Sequence, residues 1–325
     1  MTEIAGSKLI FGIYPGSGTI PGAEGPGDDP EQISAALDLL QPASAPFLVR
    51  GYLQYVGSGT SENDTPADVT RYLRNGRQLD LALSYRTPDG DLDDWSRFIR
   101  STIRHYGSSL AKIQIAEEPN NPDARTGGDG GSPNVRRAIV EGVVAAKDEA
   151  KRLNLTIKVG FNATVIFNPE DDFWPAIAAL VTPSFFEALD YVGLDFFPDV
   201  FRPLPDDSLD TLRRAVEYVL RQFREENLPG GKIPASVPIH ITENGWPTSP
   251  DRTEESQAAV IETIIRTIHA HRAGFNITHY EFFDLRDLNS SNPDIFHQFG
   301  LLRDDYSPKP AFESFRRLVA ELSVT

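Results

Sequence analysis

The segment IHITENGWPT, residues 239–248, brings the carboxylate of Glu243 to the end of a strand-like run. Its first residues alternate as strand residues do, and the Asn-Gly pair after the glutamate turns the chain. The segment IQIAEEPNNP, residues 113–122, repeats this arrangement, because Glu118 ends a strand-like run and Pro119 stops further pairing. Each glutamate is either a solvated loop residue or a functional group at a strand end.

Eight strand-like segments alternate with eight helical periods along the chain. Strands are predicted over 8–14, 45–53, 78–85, 111–118, 156–164, 190–197, 237–244 and 277–285. Helices are predicted over 30–40, 66–75, 92–106, 134–153, 171–189, 208–227, 253–273 and 309–322. This alternation predicts parallel strands joined by right-handed crossovers.

The whole chain of 325 residues is therefore predicted to form a single catalytic (β/α)8 barrel, an α/β fold, over residues 1–325. A doubly wound open sheet is the alternative. It is disfavoured because the glycine-containing turn after the first strand leads into a Pro/Gly/Asp-rich loop and not directly into a helix. Gly/Pro-rich stretches at 15–30, 57–66 and 121–134 all follow predicted strands, on the barrel face where active sites form.

The composition excludes several classes of function. A formal net charge of −16 leaves no basic stripe for phosphates, so neither nucleic acid nor an anionic membrane surface is an expected partner. No apolar run reaches the roughly 18 residues of a transmembrane helix. The count of 0 Cys excludes disulfides, zinc–thiolate sites and thiol nucleophiles. No signal-peptide pattern begins the chain, which favours a cytoplasmic location, or a secreted one if a signal peptide has been removed.

Side chains in a barrel strand alternate between the lumen and the helix layer. With Glu118 directed inward, Gln114 is also expected in the lumen. With Glu243 directed inward, we expect Ile239 and Ile241 in the lumen, and His240 and Thr242 facing the helices. Strands four and seven lie on opposite sides of an eight-membered ring, so the two glutamates are expected to face each other across its mouth.

Two facing carboxylates are the equipment for glycoside hydrolysis. One must be protonated so that it can donate a proton to the leaving oxygen, and the other must be ionised so that it can attack the anomeric carbon. A separation of about 5–5.5 Å suits double displacement, and roughly 6.5–9.5 Å suits inversion.

Three segments carry a family resemblance. AEEPN at 116–120 resembles the Asn-Glu-Pro motif of clan A glycoside hydrolases, in which the glutamate that ends strand four is the acid/base. TENGWPT at 242–248 resembles the strand-seven nucleophile motif of that clan and is especially similar to family 17 β-1,3-glucanases. FGLLRDDYSPKPAFESFRRL at 299–318 resembles the clan's closing segment. Overall the chain is also like families 5 and 39.

The resemblance implies a retaining hydrolase of β-linked, glucan-like glycosides that uses no metal and no cofactor. Glu118 is then the acid/base, Glu243 the nucleophile, and a carbohydrate the partner, while the oligomeric state is not indicated. Arg50, at the end of FLVR, matches the arginine that in this clan hydrogen-bonds the nucleophile. A guanidinium there is expected to lower the pKa of Glu243, and nearby negative charge to raise that of Glu118.

The chain departs from the clan at three places. Glu117 stands where the clan usually has an asparagine that holds the sugar 2-hydroxyl. Strand six lacks the usual Tyr or His that contacts the nucleophile. Strand eight has Phe282 or Phe283 in place of a sugar-stacking tryptophan. The other candidates for substrate binding or support, all near predicted strand ends, are Tyr52, Asn120, Asn162 and Trp246, followed by Tyr14, Asp195 and Asp284.

Other interpretations stay open at this stage. In the first interpretation, Glu118 and Glu243 are ordinary loop carboxylates, Arg50 forms a structural ion pair, and Trp246 is a packing residue. In the second interpretation, the barrel binds saccharide without cleaving it. A third is a metal-dependent isomerase whose oxygen ligands are Glu117, Glu118, Glu243 and Asp284.

Overall fold

The computed structural model describes residues 8–17, 24–43, 45–168 and 170–323, apart from the side chain of Asn63. The strands are β1 Ile10–Ile13, β2 Phe47–Gly57, β3 Thr60–Thr65, β4 Gln78–Tyr85, β5 Leu110–Ile115, β6 Lys158–Thr164, β7 Tyr191–Asp195, β8 Ile239–Asn244 and β9 Ile277–Phe282. The helices are α1 Pro30–Leu40, α2 Leu92–Tyr106, α3 Val135–Arg152, α4 Phe173–Leu180, α5 Pro183–Ala188, α6 Leu209–Gln222, α7 Leu228–Gly230, α8 Glu254–Phe275 and α9 Pro310–Leu322.

Eight of these strands form a closed parallel barrel, as predicted. The order runs β1-β9-β8-β7-β6-β5-β4-β2, and β1 also pairs in parallel with β2, which closes the ring. Predicted strands four and seven are therefore β5 and β8. Helices cover the outside and bury the apolar face of the strands, and α8 starts where predicted, with Thr253 accepting a hydrogen bond from the Ser256 backbone N–H at 3.1 Å.

Two elements differ from the sequence prediction. Residues 60–65 form β3, which pairs antiparallel with an extended β2, and only a 3₁₀ turn at Val69–Tyr72 remains of the helix predicted over 66–75. The helix predicted over 171–189 is divided into α4 and α5, because Pro183 begins a new helix at its first position. The predicted loop over 15–30 lies partly outside the described residues.

The barrel lumen is polar. Lys112 on β5 donates to Asp80 on β4 at 2.9 Å and to Glu281 on β9 at 2.5 Å. Because β5 and β9 lie on different sides of the ring, this contact passes through the lumen. Gln114 also faces inward, as predicted, and accepts a hydrogen bond from Arg50 at 3.0 Å.

The orientation predicted for β8 is wrong. The His240 ring lies 4.1 Å from that of Tyr191 and 3.7 Å from that of His279, and Tyr191 is itself contacted by Lys112 in the lumen. Ile239 and Ile241 instead belong to the apolar core.

An irregularity at the end of β8 explains the reversal. The pairing of β8 shifts register against β7 between Leu194 and Asp195, and against β9 between Ile241 and Asn244. Such a bulge adds a residue and changes which side of the sheet the next side chain faces. Thr242 and Glu243 consequently both face inward, which strict alternation forbids.

The buried Lys112 ion pairs provide a test of the lumen. We expect Lys112→Met to lower the free energy of unfolding by about 3–5 kcal/mol, because it leaves the buried Glu281 without its cation and removes one of the two cations that contact Asp80. Arg137→Met is the control, since it removes an exposed ion pair with Glu141 that water screens, and its effect should be far smaller. Urea denaturation of both variants measures the difference, and equal stabilities would contradict a buried ionic lumen.

Candidate active site

Glu118 lies in a left-handed turn just beyond β5. The strand ends at Ile115, and Ala116 and Glu118 have φ angles of 68° and 37°. The turn is fixed by the backbone N–H of Glu118, which donates to Asn162 Oδ1 at 2.8 Å. Asn121 Nδ2 donates to Glu118 Oε2 at 2.8 Å. The Glu118 carboxyl is thus buried and held by an amide, and no cation among the described residues forms an ion pair with it.

Glu243 lies at the end of β8 in a different environment. The Tyr52 hydroxyl donates to Glu243 Oε1 at 2.5 Å, and Arg50 Nη2 lies 3.6 Å from the same oxygen. Arg50 was expected beside this carboxylate. Tyr52, on β2, supplies the hydroxyl contact that the strand-six segment lacks.

The two environments act differently on the pKa values of Glu118 and Glu243. Burial, followed by the charge of Glu243, raises the pKa of Glu118 to about 8. Burial also raises the pKa of Glu243, but Arg50 and Tyr52 oppose that rise because they stabilise the ionised form. Acid-assisted nucleophilic chemistry needs one protonated and one ionised carboxyl, and these surroundings favour Glu118 as the first and Glu243 as the second.

Arg50 connects the lumen to the mouth of the barrel. It is 1% exposed, and Nη1 donates to Asp80 at 2.9 Å while Nη2 donates to Glu117 at 3.3 Å. Its Nε donates to the Tyr52 hydroxyl at 2.9 Å, so one guanidinium orients both the tyrosine and the carboxylates.

Glu117 points into the same cluster. Its carboxylate accepts from Gln114 Nε2 at 2.6 Å and from Asn162 Nδ2 at 2.9 Å, in addition to Arg50. Asn162 also donates to Asp195, which accepts from Thr242 at 2.5 Å. Burial raises the pKa values of both Glu117 and Asp195, and the charge of Glu243 adds to each rise.

Three further predicted site residues, Asn120, Trp246 and Phe283, make contacts of different kinds. Asn120 bonds the Thr164 backbone in both directions, at 2.8 and 2.9 Å, and so ties the loop after β5 to β6. Trp246 is 5% exposed and packs under the Arg252 guanidinium, which places it in the protein interior. Phe283 is half-buried and stacks on Tyr14 with ring centroids 5.5 Å apart.

Three carboxylates approach closely enough to share a cation. Oxygens of Glu117, Asp195 and Glu243 lie within 4.8 Å of one another. This group shares only two residues with the ligand set considered for a metal-dependent isomerase. Arg50 already places positive charge between two of its members.

Asp129 was not found from the sequence. Its buried carboxylate accepts from the backbone N–H of Glu117 at 2.7 Å, from that of Tyr85 at 2.6 Å and from the Ser84 hydroxyl at 2.5 Å. It therefore fastens the turn that carries Glu118 to the end of β4. A loop aspartate in a Gly-rich segment carries no sequence signal for this role, which depends on contacts between residues far apart in the chain.

Comparison with known proteins shows similarity in fold. No protein-family model matches the chain, and no curated protein matches it. Solved structures do, among them several glycoside hydrolases, and the likeness is in the (β/α)8 barrel fold.

Three of these structures illustrate the similarity. A family 39 glycoside hydrolase from Bacteroides cellulosilyticus WH2 is 13% identical, with a TM-score of 0.58, over 97% of this chain and 64% of its own. GH5_18 from Streptomyces cattleya, in complex with GlcNAc, is 13% identical, with a TM-score of 0.60, over 98% and 81%. An active-site mutant of Rhizomucor miehei β-1,3-glucanosyltransferase, in complex with laminaritriose, is 15% identical, with a TM-score of 0.57, over 94% and 97%.

The extent of the match differs among these proteins. The chain spans 64% of the length of the family 39 enzyme, so the likeness covers only part of that protein. Among the described residues, no helix has the length and apolar character needed to cross a membrane.

The pKa of Glu118 is directly measurable. We expect its carboxyl carbon to titrate near pH 8 in ¹³C NMR of glutamate-labelled protein, with the signal assigned through Glu118→Gln. In Glu243→Gln the pKa of Glu118 should fall, because the neighbouring negative charge is removed. An unchanged value in Glu243→Gln would mean that the two carboxyls do not interact.

Proposed function

We propose that this barrel is the catalytic domain of a retaining glycoside hydrolase that cleaves β-linked, glucan-like glycosides. The observation that carries the proposal is the pair of glutamates with unlike surroundings. Among the described residues no cation contacts the buried Glu118, whereas the half-buried Glu243 lies beside Arg50 and Tyr52. The motif resemblance and the glycoside hydrolase neighbours support the same chemistry.

The reaction proceeds by double displacement. Glu118 donates its proton to the leaving oxygen while Glu243 attacks the anomeric carbon and forms a glycosyl-enzyme. Glu118 then removes a proton from water, which hydrolyses the intermediate. Arg50 and Tyr52 orient the nucleophile, and Glu117 and Asn162 offer polar contacts to the sugar held between the two glutamates.

Two other functions can be distinguished from the proposed hydrolase by experiment. A barrel that binds saccharide without cleaving it is favoured by Glu117 and by the absence of the usual strand-six and strand-eight residues. A mechanism-based fluoro-sugar that labels Glu243 argues for the enzyme, whereas binding without labelling argues for the lectin-like alternative. Full activity in excess chelator would dispose of a metal-dependent isomerase built on the Glu117, Asp195 and Glu243 group.

Loss of either glutamate tests the assignment of roles. A panel of aryl β-glycosides and β-glucans first identifies the substrate. We expect Glu118→Ala and Glu243→Ala each to lower its turnover by several orders of magnitude. Azide should rescue Glu243→Ala by giving a glycosyl azide of inverted configuration. Glu118→Ala should retain activity on a dinitrophenyl glycoside, whose leaving group needs no proton. The exposed Glu313→Ala is the control, and wild-type turnover in either active-site variant would reject the roles.

The pH profile reports the same pair. The acid must be protonated, so kcat/KM should fall above about pH 8, where Glu118 ionises. The nucleophile must be ionised, so Tyr52→Phe should move the acidic limb to higher pH, because losing its hydrogen bond raises the pKa of Glu243 further. An acidic limb that does not move in Tyr52→Phe would separate Tyr52 from the nucleophile.

A further inference from the structure

A continuous series of aromatic rings leads from the nucleophile to the protein surface. Tyr52, which donates to Glu243, lies 5.1 Å from Tyr14, measured between ring centroids, and Tyr14 stacks on Phe283 at 5.5 Å. Phe197 follows Phe283 at 6.3 Å. The series continues with Phe201, 5.7 Å from Phe197, and Phe296, 5.8 Å from Phe201.

Exposure increases along this aromatic row from Tyr14 to Phe201, and Phe296 beyond it is half-buried. Tyr14 is buried, Phe283 and Phe197 are half-buried, and Phe201 is 57% exposed. A single exposed phenylalanine on a protein surface is ordinary. Here, however, it continues a ring series that starts at a catalytic candidate, and it follows β7 on the face of the barrel that carries Glu118 and Glu243.

The loop that carries Phe201 is fastened to the site. The backbone N–H of Phe196 donates to the Glu243 carbonyl at 3.1 Å, and Asn244 Nδ2 donates to the Phe196 carbonyl at 2.7 Å. Leu204 N–H donates to the Asp199 side chain at 2.9 Å, and Arg252 donates to the Asp199 carbonyl. The exposed ring is therefore held in place before any ligand arrives, which lowers the entropy cost of binding.

We propose that the row from Phe283 through Phe197 to Phe201 and Phe296 binds sugar units beyond the one attacked, so that the substrate is an oligosaccharide or polysaccharide. This inference rests on the proposed function and names the substrate class for the same site. Pyranose rings carry apolar C–H faces, and binding sites for such ligands combine aromatic walls with a few placed polar groups. An uncharged saccharide also suits a chain with a net charge of −16.

The test compares two substrates that share the glycone identified by the aryl-glycoside screen. A glycosyl fluoride occupies only the first sugar position, whereas the corresponding trisaccharide extends beyond it. We expect Phe201→Ala to lower kcat/KM for the trisaccharide by roughly 3- to 10-fold and to leave the glycosyl fluoride unchanged. Phe201→Trp should retain the wild-type value, because it keeps an aromatic face.

Leu39→Ala is the matched control, since it also removes an exposed apolar side chain, 60% accessible, but from α1 and outside the row. Equal kinetics of Phe201→Ala and wild type on the trisaccharide, or equal losses on both substrates, would overturn the inference. If the wild type hydrolyses neither substrate, the proposed function fails. Calorimetric titration with the β-gluco-trisaccharides laminaritriose and cellotriose then tests the aromatic row alone. The inference is overturned if the wild type binds neither trisaccharide, or if Phe201→Ala binds them as tightly as the wild type does.

Discussion

The buried guanidinium of Arg50 is the interaction on which the site depends. It donates to Asp80 and Gln114 inside the barrel and to Glu117 at the mouth, and its Nη2 lies 3.6 Å from Glu243. A charge that is 1% exposed persists only when it is fully paired, so the position of each carboxylate is set by the others. The orientation of Glu243 consequently depends on all the carboxylates that surround Arg50.

The polar lumen beneath Arg50 adds further ion pairs that constrain its position. Barrel interiors are commonly filled by branched apolar side chains, whereas here Lys112 joins Asp80 and Glu281 beneath Arg50. Replacing buried ion pairs by apolar groups is often neutral or stabilising, so such a network is weak evidence for added stability. Its evident effect is geometric, since Lys112 and Arg50 both donate to Asp80 Oδ2, which holds Arg50 in position.

Backbone irregularities determine the direction in which the two glutamate side chains point. The left-handed turn at Ala116 and Glu118, held by Asp129 and Asn162, directs one carboxyl over the mouth after β5 has ended. The register shift at the end of β8 directs Glu243 inward even though Thr242 also faces the lumen. Bulges and positive-φ residues are concentrated where function requires a direction that a regular strand does not provide.

The sequence by itself determined the barrel and the two strand-to-loop segments that carry the glutamates, although β5 ends at Ile115 and not at Glu118 as predicted. These features follow from local signals: alternation, helix caps and turn residues act within a few positions. Arg50 as a partner of Glu243 followed from the family resemblance. Only the tertiary structure decided that His240, not Ile241, faces the lumen, that Trp246 is interior, and that Asp129 anchors the turn that carries Glu118. It also revealed the β3 hairpin and the aromatic row, because register shifts and contacts between distant loops are set by the packing of the closed barrel.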